Sequence, residues 1–281
     1  MTDTVAAAAL PGARTDRDEV HHNRRRALSV AAVPALVVLL VVACAFLALG
    51  LQVVGVLVAL GAAAVVWAGV WRGAGSLVAH AVGARSGTGM ELARADNLVD
   101  GLCATMGVDA PEILIVPDDT RRALALGTRP GNAVIVVTSG LLGALDPVAL
   151  EGVLAHELVH VKRGDIAPAT VAAAVVLPLA GIFPSVAGVV HSVAGRGREF
   201  RTDQLCVAVT RYPPGLRDAL VLMAEGPAPR PPSALSARRV ARATRWLWTV
   251  ALPEPGADGL RHDVVGELDA PATRIAALDE W

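Results

Sequence analysis

The stretch VLAHELVHVKRGD, residues 153–165, decides how the rest of the chain has to be arranged. Its apolar residues recur at helical spacing, so His156 and His160 fall one turn apart on the same face, with Glu157 beside them. Two imidazoles so placed can share one zinc ion, and the glutamate then lies where a zinc-bound water would be. The bland alternative is a helix whose polar residues match the pattern by chance. With only seven histidines in the chain, the metal-binding reading is the stronger one. Asp146 and Pro147 supply an N-cap and a first-turn proline for this helix, and Gly164 ends it.

Two histidines do not complete a hydrolytic zinc site, which takes a third protein ligand and leaves one position open. The 30 residues from Ile166 to Gly195 carry no Asp, Glu, Lys or Arg. The first carboxylate after them is Glu199, in GREFRTDQLCVAVTRYPPGLRDAL (197–220). Asp203 follows one turn later on the same face, placed to receive the free N–H of a zinc-bound histidine. His191 is a rival third ligand without a supporting acid, and Glu199 is favoured over it. Because the ligands flank the apolar run, both ends of that run must lie on one side of any membrane. As helix it spans about 45 Å, short of the roughly 60 Å of two crossings. Pro178 and Pro184 also interrupt it. The expected form is a shallow re-entrant hairpin, or a bent helix pair packed on the catalytic domain and the bilayer surface.

The chain's 281 residues are 54% hydrophobic and 3% aromatic, which is too apolar for an ordinary soluble domain. Arg24–Arg26 precede an uncharged run of 45 residues, Ala27 to Trp71. That run is about 68 Å of helix, enough for two crossings of about 30 Å with a turn near Gly50–Gln52, and too long for one. A signal peptide would have a far shorter apolar region and a cleavage site. Arginines flank both outer ends (Arg24 to Arg26, then Arg72 and Arg85), the turn has none, and Trp67 and Trp71 stand at the exit. The positive-inside rule therefore puts both ends in the cytoplasm. The polar residues before the run read as a disordered tail. A net charge of -1 gives no argument for a nucleic-acid partner. Cys44, Cys103 and Cys206 are odd in number and unclustered, so neither a disulfide framework nor zinc ligation is expected of them. Lys162 is the sole lysine among 25 basic residues, and with the Ala/Val richness this points to a high-GC bacterial genome.

Between hairpin and zinc helix, MELARADNLVDGLCATM (90–106) reads as an amphipathic helix, and EILIVP (112–117) and NAVIVVTSG (132–140) as strands. The second is expected to be the sheet's edge strand, on which an extended substrate would pair. The fold class is α+β, with a transmembrane helical hairpin followed by a mostly helical, zincin-like domain with a small sheet. Farther on, GPAPRPPS (226–233) is an extended connector, and SARRVARATRWLWTV (236–250) is either a solvated basic face or a helix lying on anionic lipid.

The hairpin, TSGLLGALDPVALEGVLAHELVHVKRGD (138–165) and REFRTDQLCVAVTRYPPGL (198–216) together resemble the HtpX-type membrane zinc metallopeptidases, a family that includes the CAAX prenyl endopeptidases. The resemblance covers about Arg94 to Leu278 together with the hairpin. It implies zinc ligation by His156, His160 and Glu199, with Glu157 as general base. It also implies polypeptide substrates at or in the membrane, among them misfolded membrane proteins. This chain departs from the family pattern in three places. Thr202 replaces the usual alanine of the Glu199 motif. Arg122-Ala123-Leu124-Ala125 lacks the family's asparagine. Leu268-Asp269-Ala270-Pro271 stands where a His-Pro-Pro is usual, before Arg274-Ile275. If the absent histidine stabilises the transition state, that role is vacant here or passes to His262 or Arg274.

The resulting expectation is a tail to residue 26, a hairpin over 27–72 and a zinc peptidase domain over 73–281, with 166–195 as its apolar segment. The activity expected is a multi-pass zinc endopeptidase of the bacterial inner membrane whose catalytic domain faces the cytoplasm. Its partners would be the lipid bilayer and membrane-associated or misfolded proteins, with no nucleic acid. Two alternatives are a signalling membrane metallopeptidase that cleaves one regulatory partner and an inactive zinc-binding membrane scaffold. The first would normally carry a sensor domain, and the second would not need Glu157.

Overall fold

The structure, a computed structural model, describes residues 16–180, 183, 187–195, 197–227, 235–250 and 269–281. Pro184, His262 and most of the proline-rich stretch lie outside them. The chain opens with two long helices, α1 (Asp16–Ala48) and α2 (Gln52–Ala81), joined by a turn in which Gly50 adopts φ 72°. The apolar helices span 31 residues from Asp18 and 30 residues from Gln52, about 45 Å each and long enough to cross a membrane. Their outward faces carry Leu40, Val41, Val53, Leu57 and Val65, all exposed, as lipid contact requires. Residues 16–26, expected within a disordered tail, are instead the first turns of α1, with Glu19 and Asn23 buried.

A short strand β1 (Arg85–Ser86) and helix α3 (Met90–Met106) follow, the helix with the bounds its periodicity predicts. Strands β2 (Glu112–Val116), β3 (Ala123–Leu126) and β4 (Val134–Thr138) complete a sheet of order β1-β2-β4-β3. The β2–β4 pairing is parallel, and the other two are antiparallel. β4 is thus internal, and the edge expected of it belongs to β3. The reason lies in burial: Ile135, Val136 and Val137 are successive fully buried residues, which marks a strand covered on both faces. The true edge, Ala123-Leu124-Ala125-Leu126, is short and lacks β-branched residues, so it gives no strand signal of its own.

The two faces of the sheet feed two cores at the period of two a strand imposes. Ala123, Ala125, Ile135 and Val137 face a core made with α3 and the zinc-motif helix, whereas Leu124, Leu126 and Val136 face one made with the membrane hairpin. After α4 (Ser139–Ala144) comes α5 (Pro147–Arg163), where Asp146 accepts hydrogen bonds from the backbone N–H of Val148 and Ala149, both 2.9 Å. Gly164 closes the helix with φ 65°. The apolar run becomes two short helices, α6 (Ile166–Val176) and α7 (Ala187–Ala194). α6 is about 16 Å long and buried on nearly every side between α1, α2 and the sheet. Helices α8 (Arg198–Thr210), α9 (Pro213–Ala224), α10 (Leu235–Thr244) and α11 (Pro271–Glu280) complete the described chain. The basic segment packs Ala243, Leu247 and Trp248 into the hairpin-side core.

Gly152, one turn before His156, fixes how closely α9 approaches α5. A Cβ there would lie 2.7 Å from the Leu216 nitrogen and 2.8 Å from its Cα. Gly152→Ala should therefore destabilise the fold by about 1–3 kcal/mol, seen as a lowered unfolding temperature. An unchanged temperature would mean that α9 yields freely.

Candidate metal centre

α5 and α8 meet so that side chains predicted far apart in sequence converge. His156 Nε2 lies 3.0 Å from Glu199 Oε2 and 3.2 Å from His160 Nε2, and the third separation, His160 Nε2 to Glu199 Oε2, is 3.5 Å. Among the described residues these three form the one group of converging metal-ligating side chains. An ion bound tetrahedrally by nitrogen and oxygen at about 2.0–2.1 Å needs donors about 3.3 Å apart. The residues fit zinc. His191, the rival, instead stacks on Trp246 with ring centres 4.1 Å apart. Cys206 is buried with its thiol donating to the Gly152 carbonyl at 3.4 Å, away from the group.

The outer nitrogens of both histidines face carboxylates. His160 Nδ1 is 2.9 Å from Asp165 Oδ1, and His156 Nδ1 is 2.9 Å from Asp203 Oδ1, the latter approach close but poorly aligned as a hydrogen bond. A metal at the Nε2 atoms would leave each Nδ1 to carry the proton, facing a carboxylate that only accepts. Burial opposes charge on His160, but Asp165 and Glu199 outweigh it and raise its pKa to about 9. Burial would raise Glu199; contact with Arg198 and with the histidines holds it well below the usual carboxylate range. Arg198 Nε donates to Glu199 Oε1 at 3.0 Å, which leaves Oε2 to face the histidines.

Glu157 is 2% exposed and stands outside the donor group, its Oε1 accepting from the Thr249 hydroxyl in a short contact. Thr249 also pairs with the sheet edge, its backbone N–H donating to the Ala123 carbonyl at 3.0 Å. Arg274, a candidate transition-state stabiliser, brings Nη1 to 3.9 Å from Glu199 Oε2, the oxygen that faces the histidines. It is fully buried, with Nε and Nη2 donating to the two Asp203 oxygens at 2.6 and 2.8 Å, and Nη1 to the Thr249 carbonyl at 2.6 Å. Asp203 and Thr249 thus hold the guanidinium beside Glu199. The other candidate for that role, His262, lies outside the described residues.

Four contributors escape sequence reasoning. Asp165 sits five residues beyond His160, and the left-handed turn at Gly164 folds it back; an acid just after a C-cap glycine was the available signal. Arg198 adjoins Glu199 and was visible only as a neighbour. Asp269 accepts from the backbone N–H of Gly197, Glu199 and Phe200 at 2.9, 3.0 and 3.3 Å, anchoring the first turn of α8. Thr249 and Asp269 come from distant segments, and nothing local marks them.

Comparison with known proteins agrees with this geometry. Residues 90–224 match the profile of peptidase family M48. The curated relative named Protease HtpX homolog of Dictyoglomus turgidum is 33% identical over 161 residues, 46% of this chain and 53% of its own length. The protein of the same name from Gemmatimonas aurantiaca is 31% identical over 185 residues, 56% of this chain and 66% of its own. That from Thermococcus sibiricus is 49% identical over 76 residues, 27% of this chain and 26% of its own. The chain thus spans about half to two thirds of the first two of these relatives. No solved structure matches. With His156, Glu157, His160 and Glu199 all inside the matched segment, the chain carries a family M48 peptidase domain of the HtpX type.

Proposed function

We propose that this protein is a membrane-anchored zinc-dependent endopeptidase that hydrolyses peptide bonds of membrane-associated or misfolded proteins. The observation that carries the proposal is the convergence of His156, His160 and Glu199 at tetrahedral spacing, with Glu157 beside them and outside the ligand group. His156, His160 and Glu199 would hold the ion. Bound there, zinc supplies a Lewis acid that polarises the scissile carbonyl and makes water nucleophilic near neutral pH. Glu157 accepts the attacking water's proton and delivers it to the leaving amine. Asp165 and Asp203 keep the two imidazoles in the tautomer that ligation needs.

An extended substrate would pair along β3. Arg122 turns its carbonyl to β4, accepting from Thr138 N at 3.0 Å, so Ala123 and Ala125 direct their main-chain groups away from the sheet; Thr249 already takes the Ala123 carbonyl, which leaves Ala125 for the substrate. Backbone pairing of this kind reads little side-chain identity, which suits clients as varied as misfolded proteins. Trp248 borders the same edge, with the Arg122 guanidinium 4.6 Å from its ring centre.

Zinc content and casein hydrolysis, measured on the same detergent-purified samples, test the reading. Wild type should hold one zinc and cleave. Glu199→Ala should lose zinc, and Asp203→Ala should bind it about 10- to 100-fold more weakly. Cleavage that survives complete zinc removal would overturn the proposal.

The orientation has its own test. Both arginine-flanked ends of the hairpin are read as cytoplasmic, and α5 and α8 must share a side to build one site. Topology reporters fused after Arg163 and after Arg198 should both report the cytoplasm. Opposite sides would remove Glu199 from the metal.

A further inference from the structure

The donors sit on two helices, His156 and His160 on α5 and Glu199 on α8, and the separation of those helices sets the size of the metal site. At the basic end of α5 a third helix holds both. Glu19, on the turns of α1 before the uncharged run that begins at Ala27, is 8% exposed. Its Oε2 accepts from Arg163 of α5, Nη2 at 3.1 Å and Nε at 3.3 Å. Its Oε1 is 2.6 Å from Nη2 of Arg201 on α8. Asn23, one turn on, donates to the Arg163 carbonyl at 3.3 Å.

The contact continues inward. Arg163 Nη1 lies 3.4 Å from Asp165 Oδ2 and 3.4 Å from the Thr202 hydroxyl. Asp165 Oδ1 is the acceptor for His160 Nδ1, and the Thr202 hydroxyl is 3.4 Å from that same nitrogen. Three linked contacts, Glu19 to Arg163, Arg163 to Asp165 and Asp165 to His160, thus run from the anchor helix to a metal-ligating imidazole. We propose that Glu19 is a positioning residue for the metal: it clasps Arg163 and Arg201, holding α5 against α8, and keeps Arg163 from drawing Asp165 off His160. The inference rests on the zinc reading above and adds to it that the membrane helix is part of the metal site's support.

The physical reason is competition for a carboxylate. Without Glu19, Arg163 keeps Asp165 as its nearby acid, and a guanidinium prefers both carboxylate oxygens. Asp165 would rotate toward Arg163, and His160 would lose the acceptor that fixes its tautomer and ring orientation. Arg201 would lose its partner as well, but its side chain is half exposed and water can replace the bond. The expected loss therefore runs through Arg163.

The test uses the full chain in detergent micelles, with zinc affinity read by competition against a chromogenic chelator and folding read by circular dichroism. Glu19→Gln keeps the size of the side chain and removes its charge. It should weaken zinc binding about 10-fold, the range of losses behind a ligand, while the helical signal persists. Asp165→Ala should weaken binding by at least as much. The Glu19→Gln/Asp165→Ala double variant should lose little beyond Asp165→Ala, because both act through His160. Glu19→Asp keeps the charge on a shorter arm and should fall between wild type and Glu19→Gln. It carries the comparison if the glutamine variant does not fold. Wild-type zinc affinity in a folded Glu19 variant, with only the unfolding temperature lowered, would reduce the contact to a plain tie between anchor and domain and overturn the inference. Fully additive losses in the double variant would overturn the route through Asp165. A wild type that binds no zinc would instead remove the metal reading beneath it.

Discussion

Glu157→Gln should lower kcat/KM for peptide hydrolysis by about 10²- to 10⁴-fold while the protein keeps its zinc. The two halves of that result come from different parts of the site. The amide has the shape of the acid but does not take up a proton at neutral pH, so the step that makes water a nucleophile is lost. Zinc stays because the donors are His156, His160 and Glu199, and Glu157 is not among them. The replacement should also fold. The Thr249 hydroxyl has one hydrogen and faces two acceptors, Glu157 Oε1 and, at 2.9 Å, the Ala123 carbonyl. A glutamine can offer that oxygen either a carbonyl or an N–H. Metal analysis on the purified variant separates the outcomes. Full activity would end the proposed role of Glu157, and zinc loss would make it a ligand.

Arg274→Met should be the most damaging single change outside the donors, costing about 3–5 kcal/mol of stability and weakening zinc binding as well. Asp203 is 1% exposed, and Arg274 supplies it with two charge-assisted hydrogen bonds. Methionine fills much of the space but leaves the carboxylate buried without its cation, the configuration that proteins tolerate least. Asp203 would take up a proton, and the His156 imidazole would lose its anionic partner. Arg274→Lys should rescue little, since an ammonium cannot make the paired contact or reach the Thr249 carbonyl at the same time. Thermal unfolding and chelator competition on both variants check this. A lysine variant with wild-type stability would show that charge alone suffices.

What was legible in the chain follows the range of the interactions. The zinc helix could be read because its cap, its proline, its ligand spacing and its terminating glycine all fall between Asp146 and Gly164. Glu199 could be read because a charge-free run left no earlier carboxylate. The β3 edge could not, since Ala-Leu-Ala-Leu becomes a strand only through its pairing with β4. The turns before Arg26 looked like a tail because apolar periodicity is the usual sign of a packed helix. Glu19 and Asn23 are buried there by polar partners on α5 and α8. Thr249 and Asp269 approach the site from segments whose local sequence says nothing about metal.

The unbroken course of α1 has a geometric consequence. From Glu19, clasped to α5 and α8, to Ala27, where the apolar run begins, the helix climbs eight residues, about 12 Å. It acts as a strut of fixed length, so under the proposed topology the cleft stands at a set height over the lipid. A polypeptide emerging from the bilayer rises about 3.3 Å per residue when extended, and needs about four residues to reach that height. Bonds closer to the membrane than this would be out of reach. Cleavage positions in different membrane substrates should then align by their distance from the bilayer surface and not by any shared sequence.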